Sequence, residues 1–128
     1  MAIRRFKATK DNTIANAYKD NLTTRGTGSN MGEADILEVF SLYAQESTSS
    51  SELSRVLIEF DIATLSASRD SGNIPASGSV EFYLRMFNAE HSSTTPTDFT
   101  LTVAAISQSW NEGIGLDMDD YSDPGVSN

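Results

Sequence analysis

The sequence predicts an all-β fold, an antiparallel β-sandwich of the jelly-roll type. Three observations predict it. Apolar residues recur with a period of two, rather than about 3.6, in the segments rich in Val, Ile, Leu and Phe. The stretches between them are short, polar and punctuated by Gly and Pro, the composition of turns. No window carries a sustained helical stripe with capping residues. Short strands separated by turn signals close into sandwiches, whereas βαβ folds alternate strands with helices.

Residues 2–8 and 13–17 are expected edge strands. The loop Thr23-Thr24-Arg25-Gly26-Thr27-Gly28-Ser29-Asn30 has two glycines and tolerates unusual dihedrals. Residues 36–43 are apolar on both faces, which suggests a central or doubly covered strand. Ser47-Thr48-Ser49-Ser50-Ser51 reads as a mobile surface tip. Three cleaner alternations follow. Val56, Ile58 and Phe60 alternate with Arg55, Leu57 and Glu59. Val80, Phe82, Leu84 and Met86 alternate with Glu81, Tyr83, Arg85 and Phe87. Phe99, Leu101, Val103 and Ala105 alternate with Thr100, Thr102 and Ala104. Val56, Ile58, Phe60, Phe82, Leu84, Leu101 and Val103 are therefore the expected inward-facing core of two packed sheets. On that basis Phe60→Ala would cost about 3–5 kcal/mol. Residues 69–75 and 91–96 connect the later strands. Asp123-Pro124-Gly125-Val126-Ser127-Asn128 reads as a turn with no strand behind it. The expectation is a fragment of a longer chain, with a flexible tail as the alternative.

At 128 residues, 38% of them hydrophobic, the chain is expected to fold as one domain. The expected organisation is an arm or edge strand over 1–9, a jelly-roll domain over 10–110 and an acidic segment over 111–128. No apolar stretch approaches the roughly 20 residues of a membrane-spanning helix, and no signal-peptide segment follows the basic start. Without cysteine there is no disulfide, thiolate zinc site or thiol nucleophile. A net charge of −9 opposes nonspecific nucleic-acid binding. The charge is uneven. Arg4, Arg5, Lys7, Lys10, Lys19 and Arg25 crowd the first 25 residues against only Asp11 and Asp20. Glu112, Asp117, Asp119, Asp120 and Asp123 follow Trp110 with no base among them. These groups either pair within the fold as solvated faces or bring a basic arm to an acidic surface on another subunit.

Catalysis finds little support. His91 is the one histidine and sits in a Ser/Thr-rich loop, where it reads as a solvated residue. No nucleophile elbow, phosphate-binding glycine loop or metal-type His pair is present. An enzyme is not expected, nor any cofactor. Asp117, Asp119, Asp120 and Asp123 offer hard oxygen ligands for a structural calcium, but they lack the glycine and final glutamate of an EF-hand loop. The plainer reading is an acidic, solvated segment. Trp110 either covers one end of the sandwich or stacks on a sugar ring. Tyr18, Tyr43, Tyr83 and Tyr121 are equally ambiguous. Only Tyr83-Leu84-Arg85 hints at a nucleic-acid platform, against the acidic remainder.

Ser54-Arg55-Val56-Leu57-Ile58-Glu59-Phe60-Asp61-Ile62-Ala63-Thr64-Leu65 resembles the core motif of the DNRLRE-type jelly-roll domains. Asp11-Asn12-Thr13-Ile14, Gly28-Ser29-Asn30-Met31-Gly32 and Val80-Glu81-Phe82-Tyr83-Leu84 sit where that family has further elements, so the resemblance covers about residues 10–110. It implies a jelly roll used in adhesion, carbohydrate binding or structural stacking. Met1-Ala2-Ile3-Arg4-Arg5-Phe6-Lys7-Ala8 and Trp110-Asn111-Glu112-Gly113-Ile114-Gly115-Leu116-Asp117-Met118-Asp119-Asp120-Tyr121-Ser122-Asp123 are similar to structural proteins of tailed bacteriophages, especially marine ones. In those relatives more chain follows the second run.

The resemblance implies a non-enzymatic virion protein, a capsid decoration or tail part, assembled in the host cytoplasm. Its partners would be other virion proteins in several copies, with neither nucleic acid nor membrane. The alternative is a carbohydrate-binding or adhesion module for host-surface glycans, with Trp110 as the ligand residue. For partner binding the sequence offers Ile3, Arg4, Arg5, Phe6 and Lys7. Such a segment can add to a neighbour's sheet edge, with Phe6 as anchor and the bases steering it to an acidic surface. The competing reading is a strand that closes this domain's own sandwich.

Overall fold

A computed structural model describes residues 3–27, 30–44, 47–75, 78–92 and 96–116. Among them the fold is all-β with one short helix: β1 (Ala8–Ala15), β2 (Ser41–Tyr43), β3 (Ser51–Phe60) and α1 (Ile62–Asp70). The three strands make one antiparallel sheet in the order β1-β3-β2. Contacts divide the chain into two units, Met1–Val80 with Glu112–Asn128 and, separately, Glu81–Asn111.

β3 is the longest strand and takes the centre, as its β-branched and aromatic content favours. β1 pairs with it from Ala15 opposite Ser54, through Thr13 opposite Val56, to Asp11 opposite Ile58. The register then shifts, because Lys10 lies opposite Glu59 and Ala8 opposite Phe60. Thr9 is the extra residue of this bulge, and its hydroxyl donates to the Glu59 carbonyl at 3.2 Å. Lys10 Nζ meets Glu59 Oε1 at 3.0 Å across the pair. Both side chains are well exposed, so the ion pair adds at most about 1 kcal/mol.

In place of the expected edge strands 2–8 and 13–17 there is one edge strand, β1, which takes in Ala8 and Thr13 to Ala15 and leaves residues 3–7 and 16–17 outside it. Residues 36–43 do not form the expected central strand. Only Ser41–Tyr43 pairs, at the sheet edge, and Ile36, Val39, Leu42 and Tyr43 are exposed. Ser47–Ser51 is not a loose tip throughout. Ser50 is buried, its N–H and hydroxyl both donate to the Ser47 carbonyl at 3.0 Å, and its Oγ accepts from Ser47 N–H at 3.2 Å. Small hydroxyl residues can replace a backbone turn with such local bonds, a property that composition alone does not show.

The buried apolar centre is small. Ala17 and Met31 form it, with Ala15, Ala34 and Phe40 packed around them, and Ile74 is buried elsewhere. Val56, Ile58 and Phe60 are only half-buried. Phe60→Ala should therefore cost about 1–2 kcal/mol, less than a fully buried ring would, and urea unfolding measures it. Several buried positions are polar instead: Asn12, Thr13, Ser50 and Glu52. Each needs partners inside the fold. Glu52 Oε2 accepts from the Tyr18 backbone N–H at 2.7 Å, and Thr13 Oγ1 accepts from the Glu38 N–H at 2.9 Å.

α1 escaped the hydrophobic pattern because it buries no residue and presents no apolar stripe. Its start is nevertheless written in one residue. Asp61 is the N-cap, and its carboxylate accepts from Ala63 N–H at 2.9 Å and Thr64 N–H at 3.2 Å. The Thr64 hydroxyl bond comes first among the causes that hold the Asp61 carboxyl below its ordinary 3.8, followed by the Thr64 N–H bond. A depressed folded pKa stabilises the helix above the unfolded value and loses that support as pH falls through the folded value. Protection of the amides of residues 62–70, taken relative to their intrinsic exchange rates, should accordingly fall as the pH drops below about 3.8. An Asp61→Asn variant, uncharged throughout, should show no such pH step.

The expected strands over 80–87 and 99–106 pair with nothing among the described residues. Phe82, Leu84, Leu101 and Val103 do not face a core. Phe82 is 63% exposed and Val103 79%, and Leu84 and Leu101 are exposed as well. Alternation specifies a side that wants covering, and no sheet of the described residues covers this one.

Candidate functional site

Three stretches far apart in sequence meet in one polar clasp: Asp11 and Asn12 on β1, Asn30 to Glu33, and Glu112 to Gly115. Asn30 is the hub. Its Oδ1 accepts from the Gly115 N–H at 2.6 Å and the Gly32 N–H at 3.2 Å, and its Nδ2 donates to the Glu112 carbonyl at 3.1 Å. Asn12, only 4% exposed, approaches the same carbonyl from β1. Its Nδ2 donates there at 2.5 Å, while its Oδ1 accepts from Met31 N–H at 3.3 Å. Glu112 Oε1 accepts from the Asp11 backbone N–H at 2.8 Å, and Glu33 N–H donates to the Gly115 carbonyl at 2.9 Å. A carboxamide can donate and accept at once, so two asparagines can tie backbone from three segments together.

The glycines are dictated by this approach. A Cβ on Gly32 would overlap the Glu112 carbonyl. Gly113 has φ +82° and lies where a Cβ would run into the Asn30 carboxamide. The clasp brings together three runs singled out in the sequence, Asp11-Asn12-Thr13-Ile14, Asn30-Met31-Gly32 and Glu112-Gly113-Ile114-Gly115. Its chemistry is structural: it closes the chain back onto β1.

Arg25 is likewise used within the fold. Its guanidinium lies 3.7 Å from the Tyr18 ring centroid and donates to the Asn16 carbonyl and, at 3.3 Å, to that of Ser51. An open cleft of about 350 Å3 runs beside it, lined by Thr13 to Asn16 and Arg25 to Thr27. It offers no nucleophile–base pair and no carboxylate pair.

Ile3, Arg4, Arg5, Phe6 and Lys7 lie outside any strand and precede β1. Ile3 is 79% exposed and Phe6 half-buried. Arg4 Nη2 donates to Asn73 Oδ1 at 2.8 Å. Trp110 is half-buried. His91 is exposed, with Nε2 3.3 Å from Asn88 Nδ2. The calcium candidates Asp117, Asp119, Asp120 and Asp123 lie outside the described residues, as does Tyr121. Among the described residues no group of three His, Cys, Asp or Glu could hold a metal ion, and no helix is long and apolar enough to cross a membrane.

Two runs of exposed apolar residues lie within 81–111. Phe82, Leu84, Met86 and Phe87 are exposed on one run, and Phe99, Leu101, Val103 and Ile106 on the other. Both runs proceed without turn or bend. Along the first, residues two apart touch. The Tyr83 hydroxyl donates to the Glu81 carboxylate, which pushes the phenol above its ordinary 10.0, and the Arg85 guanidinium sits 4.7 Å from the Phe87 ring centroid. That is the period expected of a strand. Sequence reasoning found these two runs but assigned them to a core. It missed Asn12, Asn30 and Glu112 as one site, although the glycines close to two of them, Gly32 after Asn30 and Gly113 after Glu112, were an available signal. No protein-family model, curated protein or solved structure matches the chain.

Proposed function

We propose that the chain is a non-enzymatic virion structural protein, a capsid-decoration or tail component of a tailed phage, that acts through protein–protein contacts. The observation that carries the assembly reading is the pair of exposed, alternating apolar runs over 81–87 and 99–106. Contiguous apolar surface of that kind is stabilised when a partner removes it from water, at roughly 25 cal/mol per Å2. Runs of this kind, alternating and with a bare apolar face, suit partners that add strands or cover the face. Covering it would complete two packed sheets, which is how a jelly roll would arise here. The virion setting rests on the likeness of the opening segment and the Trp110 run to tailed-phage structural proteins.

Residues Ile3 to Lys7 supply a second contact in this reading, since they lie outside the sheet and carry three bases with an apolar anchor. Deleting residues 1–7 should leave β1 and the sheet intact, with an unchanged circular dichroism spectrum, yet abolish attachment to particles. Raised salt should slow attachment of the intact chain, because rim charges act mainly on encounter. Particles banded on a density gradient and probed for the chain test the whole reading. Its presence in the particle band in stoichiometric amount is expected, and its confinement to the soluble fraction would overturn the reading.

A further inference from the structure

We propose that residues 80–86 pair antiparallel with the same residues of a second copy of this chain, about a two-fold axis at Tyr83. The inference rests on the assembly reading above and names the first partner of that surface. It is carried by self-complementarity. With Tyr83 opposite Tyr83, Glu81 falls opposite Arg85 and, by symmetry, Arg85 opposite Glu81. On the other side of the ribbon Val80 meets Met86 and Phe82 meets Leu84, each twice. Every cross-strand pair is then matched, apolar with apolar and acid with base, the arrangement that favours directly opposed residues. A two-fold axis demands a surface that is its own complement, and this run supplies one.

Slipping the register destroys the match. An axis at Phe82 sets Glu81 against Tyr83, and an axis at Leu84 sets it against Phe87. Pairing with the chain's own second run also leaves the charges unanswered, because residues 99–106 contain neither acid nor base. Within the isolated chain Glu81 and Arg85 are four residues apart on a run without bends, about 13 Å at strand rise, beyond ion-pair reach. Each instead has a neighbour two residues away, Tyr83 for Glu81 and Phe87 for Arg85. Phe82, Tyr83, Leu84 and Met86 are all exposed and thus available to a second copy, and Val80 is half-buried.

The absence of cysteine from the sequence makes a clean test possible. Tyr83→Cys in the full chain places two thiols opposite each other only in this register. Mild oxidation should convert most of the protein to a covalent dimer on a non-reducing gel, whereas Thr102→Cys should stay largely monomeric. Sedimentation supplies the second arm. Arg85→Glu should weaken the wild-type dimer at least about tenfold by setting like charges opposite each other. Adding Glu81→Arg to it should restore dimerisation. Both positions are exposed, so unchanged circular dichroism spectra are expected throughout. A wild-type chain that stays monomeric at high micromolar concentration overturns the proposal, as does a double variant no better than Arg85→Glu alone. If the monomer is nevertheless found in the particle band, self-pairing fails while the assembly reading stands. A dimer confined to the soluble fraction would do the reverse.

Discussion

Gly32→Ala is expected to cost about 3–4 kcal/mol. The added Cβ would overlap the backbone carbonyl of Glu112, and a carbonyl has no rotamer through which to move aside. That same oxygen accepts from both Asn12 and Asn30, so displacing it loosens all three segments together. For a domain of this size the midpoint of thermal unfolding should fall by roughly 10 °C or more. Gly72→Ala provides the contrast. Gly72 has φ +73° but nothing within 4 Å of its Cβ position, so only backbone strain of about 1 kcal/mol is at stake. Thermal melts of the two variants side by side separate steric exclusion from conformational preference. Equal losses would mean that the clasp is not closed in solution.

Asn30→Ala should cost about 2–4 kcal/mol through a different cause. It removes an acceptor that serves the Gly115 and Gly32 N–H groups and a donor to the Glu112 carbonyl. Part-buried N–H groups left without a partner carry their full desolvation cost, which exceeds the net worth of the bonds themselves. Asn30→Asp discriminates among these bonds. Aspartate can still accept from both N–H groups, but it cannot donate to the carbonyl and would set a charge against it. It should therefore fall between wild type and alanine in urea unfolding. An aspartate variant as stable as wild type would show that the Glu112 carbonyl gains nothing from Asn30.

What was legible in the sequence was local. The alternation through Arg55 to Phe60 marked β3 correctly, because a strand's period is imposed by its own backbone. The same signal at 80–87 and 99–106 marked apolar sides without saying what covers them. Phe82 and Val103 face outward for that reason, since coverage depends on a partner surface and not on the run itself. α1 was missed because a helix rich in Ser and Ala with no buried side chain has no stripe to detect, although Asp61 two and three residues before Ala63 and Thr64 was a readable cap. The clasp was half legible. Its motifs stood out, yet nothing local tells that Asn12, Asn30 and Glu112, up to 100 residues apart, share one carbonyl. The charges likewise divide. Lys10 and Arg25 are engaged within the fold, and so is Arg4 through Asn73, although it and its neighbours precede the sheet.

The most direct test of the proposed assembly module, a three-stranded sheet with a separate bare apolar surface, is residue-resolved hydrogen exchange at increasing chain concentration. In the dilute, monomeric chain, amides of β1, β3 and the clasp segments 30–33 and 112–115 should be protected, while those of 80–87 and 99–106 exchange at nearly unfolded rates. As copies associate, protection should appear over 80–86 with no change in β1 or β3. Strong protection of 80–87 and 99–106 already in the monomer would contradict the reading, because those runs would then be strands of a completed core with no surface left for a partner.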